Sequence, residues 1–168
     1  MRNVQANQLC EVSAAILAAC GAPDADAVLV AKELVEANLM GIDSHGVIRI
    51  PQYVEAVRRN EIVPGAPVCI ELQTAGAAVV DCAWNFGIVA AHKILEIAEE
   101  MAQSQAIACV TSHHAHHVGR LGAYVQRLAE RGFVSLAVAN GARSGHWVTP
   151  WGGREGRLAT NPLAFGAP

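Results

Sequence analysis

Residues 77–110 read AAVVDCAWNFGIVAAHKILEIAEEMAQSQAIACV, and their pattern sets the expected fold class. Ala77–Cys82 is a short apolar run of strand length. From Gly87 to Ala102 the apolar positions Val89, Ala90, Ile94, Leu95, Ile97, Ala98 and Met101 recur at helical spacing. Ala106–Val110 is a second continuous apolar run, read as a strand buried on both faces. Working outward, Val68–Leu72 reads as a strand joined to Ala77–Cys82 at Gly76. Leu121–Ala129 returns to helix and Val134–Ala139 to strand. Strand, helix, strand, helix, strand in that order predicts an α/β layer with crossover connections. Beyond Asn140 the chain reads as irregular and rich in Gly, Pro and Trp.

Upstream of this layer the chain is helical. An apolar stripe (Leu9, Val12, Ile16, Leu17) predicts a helix from Asn7 to Ala19 that stops at Gly21. Pro23-Asp24 opens a second helix running through Val28, Leu29, Ala31, Leu34, Val35 and Leu39 to Gly41. A third passes through Tyr53, Val54, Val57 and Arg58. Pro64-Gly65-Ala66-Pro67 is a turn, so the expected division is a helical segment over residues 1–67 and an α/β portion over 68–168.

The composition narrows the function. Hydrophobic residues make up 52% of the 168 and charged residues 16%. That apolar share exceeds an ordinary domain's and asks for a large core or for faces covered by a partner chain. A formal net charge of −3 argues against nucleic acid, since no basic stripe is there to neutralise phosphates. No apolar run reaches the roughly 18 to 20 residues of a membrane helix. The opening MRNVQANQLCEV lacks the apolar core and cleavage site of a signal peptide. Cys10, Cys20, Cys69, Cys82 and Cys109 are spread singly among apolar neighbours, the pattern of buried free thiols in a reducing cytoplasm.

Three stretches gather polar chemistry. In Met40–Tyr53, Gly41 ends a helix and Asp43 and Ser44 are good N-cap residues. A helical turn beginning there would set His45, Arg49 and Tyr53 on one face. An imidazole passes protons near neutral pH and a guanidinium clamps carboxylates. Pro51 either kinks that helix or opens another. The second stretch, Thr111-Ser-His-His-Ala-His-His-Val-Gly-Arg120, follows the second apolar run, where α/β sheets bind ligands. Its four histidines suggest a metal, but the H-E-x-x-H spacing is absent and the cluster contains no cysteine or carboxylate. No metal ligand is therefore expected, and acid/base use of one histidine competes with solvated loop histidines. Gly119 and Gly122 do not form G-x-G-x-x-G, and no G-x-S-x-G elbow occurs. In the third stretch, residues 146–162, Trp147 and Trp151 either wall a flat ligand or pack the loop down.

Taken together, Asp43-Ser44-His45-Gly46 with Arg49, His117-Val118-Gly119 leading to Gly122, Pro150-Trp151-Gly152-Gly153 and Thr160-Asn161-Pro162-Leu163-Ala164-Phe165-Gly166 carry a resemblance. They resemble the malate/L-lactate dehydrogenase family of the second type, distinct from the Rossmann-fold lactate and malate dehydrogenases. The resemblance implies a helical segment followed by part of an unusual non-Rossmann α/β cofactor-binding layer. It implies an NAD- or NADP-dependent oxidoreductase interconverting a 2-hydroxy acid and a 2-oxo acid, or an imino-acid variant, as a homodimer. By the same resemblance His45 and His117 are the candidates for proton transfer. Ser44 and Arg49 would hold the substrate, and His117, Thr160 and Asn161 would lie near the cofactor. Two positions depart from the family pattern. Ser112-His113-His114-Ala115-His116 stands where an Asn-Ser pair is usual, and Gly141 where a serine is. Family chains run to about twice this length, so the resemblance is to their N-terminal portion. Two other readings stay open on the residues: a non-catalytic interaction module, and a metal enzyme using the histidine cluster.

Overall fold

The computed structural model describes residues 4–141 and 146–168. Within these the chain divides into two compact units, Met1–Arg120 and Leu121–Pro168. The change from helix to strand near residue 67 falls inside the first unit.

The first unit opens with helices α1 (Ala6–Ala19) and α2 (Asp24–Leu39). Gly21 (φ +93°) and Gly41 (φ +74°) follow them in the left-handed conformation that ends helices at low steric cost. Asp24 and Asp26 lie in the first turn of α2, where negative charge complements the helix dipole. Two 3₁₀ turns, Asp43–His45 and Val47–Arg49, lead into α3 (Ile50–Arg58). Pro51 sits in the first turn of α3, where its missing N–H costs nothing. The proline therefore opens a new helix. The expected single helical face of His45, Arg49 and Tyr53 does not form.

Strands β1 (Cys69–Gln73) and β2 (Ala77–Asp81) make an antiparallel pair with an irregular step between Ile70 and Leu72. Helix α4 (Gly87–Gln105) then crosses over to β3 (Cys109–His113), which runs parallel to β2. The sheet order is β1-β2-β3. This is the α/β crossover expected from residues 77–110. Strand β3 starts later than expected, however, and Cys109 and Ile107 are exposed rather than buried on both faces. The reason is position: β3 is an edge strand, whereas the central strand β2 buries Ala78 and Val80. The five thiols are all free, but Cys69 and Cys109 are exposed and only Cys82 is fully buried.

Two apolar clusters hold the first unit. One gathers Leu17, Val30, Leu34, Tyr53, Ile62, Phe86 and Ile88; the other Ala78, Val80, Cys82, Ala90, Ile97 and Met101. Helix α4 contributes to both, so it ties the helical segment to the sheet. Each fully buried Leu, Ile or Phe among them is worth roughly 1.5–3 kcal/mol over its exposed state.

The second unit holds α5 (Leu121–Glu130), β4 (Ser135–Val138) and β5 (Leu163–Gly166). Strand β4 pairs antiparallel with β5 instead of extending the first sheet. The irregular reading after Asn140 thus missed β5, which is only four residues long between Asn161-Pro162 and Ala167-Pro168.

Candidate active site

The site is organised from the end of α2. The Asn38 side-chain N–H donates to Asp43 Oδ1, and Asn38 Oδ1 accepts from the Val47 backbone N–H at 2.9 Å. One carboxamide thus pins both 3₁₀ turns, and with them His45 and Arg49. Gly46 is required by the same contact, because a Cβ there would stand 2.3 Å from Asn38 Oδ1. On these turns Ser44 Oγ lies 2.9 Å from His45 Nδ1. Arg49 Nε–H donates to the Ser44 carbonyl at 2.5 Å and its Nη1 to Gln52 Oε1 at 2.8 Å.

Helix α3 supplies Tyr53, whose ring is 1% exposed and packs edge-on against Phe86 and His116. Burial pushes the phenol far above its ordinary range, so it stays protonated and donates. Its partner is His117 Nδ1, 2.7 Å away. Accepting there fixes His117 as the tautomer with its proton on Nε2. Burial first, then the positive fields of Arg49, His45 and His116, push the His117 pKa down to about 4. The ring is neutral at physiological pH.

His45 completes the group. Its ring centroid lies 5.4 Å from that of His117. Burial and then Arg49 lower its pKa too, but the ring is only half-buried and keeps access to water. The result is one fixed neutral N–H donor, one imidazole able to exchange a proton, and a guanidinium within electrostatic reach of both.

The backbone carrying His117 is seated on the first residue of α4. A Cβ on Gly87 would fall 2.1 Å from the His116 carbonyl oxygen and 2.4 Å from that of His117. A side chain there would displace the histidine pair. Gly87 and Asn38 are positioning residues that the sequence reading did not name. Their only signal was a glycine at a helix start and an asparagine before a helix stop.

The other expected residues are distributed differently. The four histidines divide: His116 and His117 meet Tyr53, whereas His113 and His114 meet Asp81 and Glu71. Thr160 and Asn161 belong to the second unit, where Asn161 Oδ1 accepts from the Gly141 N–H at 3.2 Å. Trp147 and Trp151 are exposed and hold nothing down. A cavity of about 320 Å³ lined by Pro23, Asp26, Asn85 and Lys93 involves none of the site's side chains.

Residues 4–168 match the family model described as malate/L-lactate dehydrogenase. The chain is 33% identical over 153 residues to an L-sulfolactate dehydrogenase of Methanothermobacter thermautotrophicus, covering 91% of this chain and 44% of that protein. It is 33% identical over 158 residues to a (2R)-3-sulfolactate dehydrogenase (NADP(+)) of Chromohalobacter salexigens, covering 94% and 46%. The solved structure of malate dehydrogenase from Pyrococcus horikoshii OT3 is similar with a TM-score of 0.94 and 29% identity, over 99% of this chain and 47% of that one. The chain thus spans less than half the length of these relatives.

Proposed function

Since the chain belongs to the malate/L-lactate dehydrogenase family, we propose that its first unit carries the substrate and proton-transfer groups of an NAD- or NADP-dependent 2-hydroxy acid dehydrogenase. The observation that carries this reading is the convergence of His45, His117 and Arg49, with Tyr53 fixing the tautomer of His117. That donor set fits a 2-oxo acid beside a nicotinamide: a cation for the carboxylate and two imidazoles for the carbonyl oxygen. A bound NAD(P)H supplies the hydride.

The residues divide the remaining work. Arg49 exchanges its Gln52 contact for the substrate carboxylate, offering a two-pronged edge. His117 donates its Nε2–H to the substrate oxygen and stays neutral, because its surroundings refuse a second proton. His45, open to water, gives a proton to that oxygen in reduction and takes it back in oxidation. Pairing of Arg49 with the substrate carboxylate removes part of the positive field on His45 and raises its proton affinity when substrate is bound. Ser44, 2.9 Å from His45 Nδ1, orients that ring. Thr160 and Asn161 are proposed cofactor contacts, Asn161 through its amide N–H since its oxygen is engaged.

Two further elements belong to the reading. A homodimer is supported by the face of the β4–β5 ladder, where Leu136, Val138, Leu163 and Phe165 are all exposed. A reducing cytoplasm suits five free thiols. Among the described residues no helix is long and apolar enough to cross a membrane.

The test is NADH and NADPH oxidation with a panel of 2-oxo acids. Oxidation that depends on the acid and collapses in His45→Ala, with the fold intact by circular dichroism, supports the reading. Oxidation indifferent to the acid or undiminished by His45→Ala refutes it.

A further inference from the structure

Two histidines that the proposed reaction does not use, His113 and His114, lie at the end of β3. Its parallel neighbour β2 ends at Asp81, in register with His113. Register partners point to the same side of a sheet, so the pleat delivers Asp81 and His113 to one face at the carboxyl ends of adjacent strands. There three ligand-type atoms converge. Asp81 Oδ1 lies 3.0 Å from His114 Nδ1 and 3.8 Å from His113 Nδ1, and the two ring nitrogens are 3.0 Å apart. Donor atoms on a tetrahedral zinc, at bond lengths of about 2.0–2.1 Å, stand about 3.3 Å from one another. The observed separations bracket that value.

The groups behind these atoms aim them. Glu71, beside the irregular step of β1, accepts a hydrogen bond from His113 Nε2–H at 2.7 Å. In a neutral imidazole this leaves the Nδ1 lone pair facing the cluster, which is the carboxylate–histidine arrangement that orients metal ligands. The Ala83 N–H donates to Asp81 Oδ1 at 2.9 Å, and Trp84 flanks His114 with ring centroids 5.1 Å apart. His114 Nδ1 lies 3.0 Å from both Asp81 Oδ1 and His113 Nδ1, so a proton on it can be shared between those two acceptors. A cation takes the place of that proton once the ring carries its hydrogen on Nε2 instead.

We propose that Asp81, His113 and His114 form a binding site for one divalent first-row transition metal ion of the zinc type, with Glu71 orienting His113. Three protein ligands leave a fourth position for water or an exogenous ligand. The site shares no residue with the His45–His117 group, so it stands whether or not the dehydrogenase reading does. Sequence spacing did not reveal it, because its carboxylates come from β1 and β2, far from the histidines in the chain.

The experiment is equilibrium dialysis and calorimetry of the metal-stripped chain with Zn²⁺, together with optical spectroscopy of the Co²⁺ form. The expected result is one Zn²⁺ per chain, and Co²⁺ bands of nitrogen and oxygen ligation. His114→Ala and Asp81→Asn should weaken binding about a hundredfold or more, and Glu71→Ala about ten- to a hundredfold. All three positions lie outside the apolar core, and circular dichroism checks that each variant folds. Absence of stoichiometric Zn²⁺ binding, or binding undiminished in folded His114→Ala and Asp81→Asn, overturns the proposal. A Co²⁺ spectrum dominated by thiolate charge transfer, and lost in Cys69→Ser or Cys109→Ser, overturns it in favour of the exposed cysteines.

Discussion

The folded chain keeps His117 as a neutral imidazole with its pKa pushed from 6.5 to about 4, by burial first and then by Arg49, His45 and His116. Unfolding returns the ring to its ordinary value. Between about pH 6.5 and about pH 4 the unfolded chain therefore binds a proton that the folded chain refuses. Stability is complete above that window, falls as the pH drops through it, and levels off below it. Each tenfold change in proton affinity is worth about 1.4 kcal/mol, so the full passage removes at most about 3–4 kcal/mol. Solvent screening at the partly exposed edge of the ring reduces that figure. Burial lowers the pKa of His45 and His116 as well, so they act in the same direction. The assay is urea unfolding at neutral pH and near pH 4 for the wild type and for His117→Asn, whose difference isolates this ring from the carboxylates. An NMR titration of the imidazole signals runs beside it. In Tyr53→Phe the hydrogen bond favouring the neutral form is lost, and the His117 pKa should rise. Titration of His117 near 6.5 in the wild type, or an equal loss of stability by the two proteins on acidification, would show that the fold does not hold this ring neutral.

Two substitutions test the scaffold behind the site. Gly87→Ala drives a methyl group into the His116 and His117 carbonyls and should cost about 1–3 kcal/mol in urea unfolding. It should also release the low pKa of His117, and an unchanged titration would show that α4 does not seat this backbone. Asn38→Ala leaves the Val47 N–H and the Asp43 carboxylate without their partner and should cost about 1–2 kcal/mol. Hydrogen exchange at Val47 should accelerate as the turn loosens, and exchange at the wild-type rate would remove Asn38 from its positioning role.

Much of the fold was legible because its signals are local. The helical period of Gly87–Ala102 and the stop glycines Gly21 and Gly41 each act within a few residues, and the structure agrees at these places. The burial of β3 was not legible. An apolar pentapeptide reads the same in a central strand as at an edge, and only the sheet order decides. Strand β5 escaped because four residues carry no period, and its pairing with β4 spans a long gap in sequence.

The site was half legible. Residue types marked His45, Arg49 and Tyr53, the family resemblance marked His117, and the chain does bring these four together. The geometry that joins them was misjudged, since Pro51 breaks the continuous helix that would have aligned three of them. They meet through tertiary contacts instead. Asn38 and Gly87 stayed hidden because their importance lies in what a side chain there would touch, which no one-dimensional pattern encodes.

In the proposed function Arg49, His45 and His117 form one anion-binding, proton-handling site. The most direct measurement is an NMR titration of the histidine-labelled chain with pyruvate and oxaloacetate, in the wild type and in Arg49→Ala. The expected result is saturable shifts confined to His45 and His117, with the His45 pKa rising on binding and both effects lost in Arg49→Ala. Shifts that are absent, spread evenly over all seven histidines, or unchanged in Arg49→Ala would contradict it.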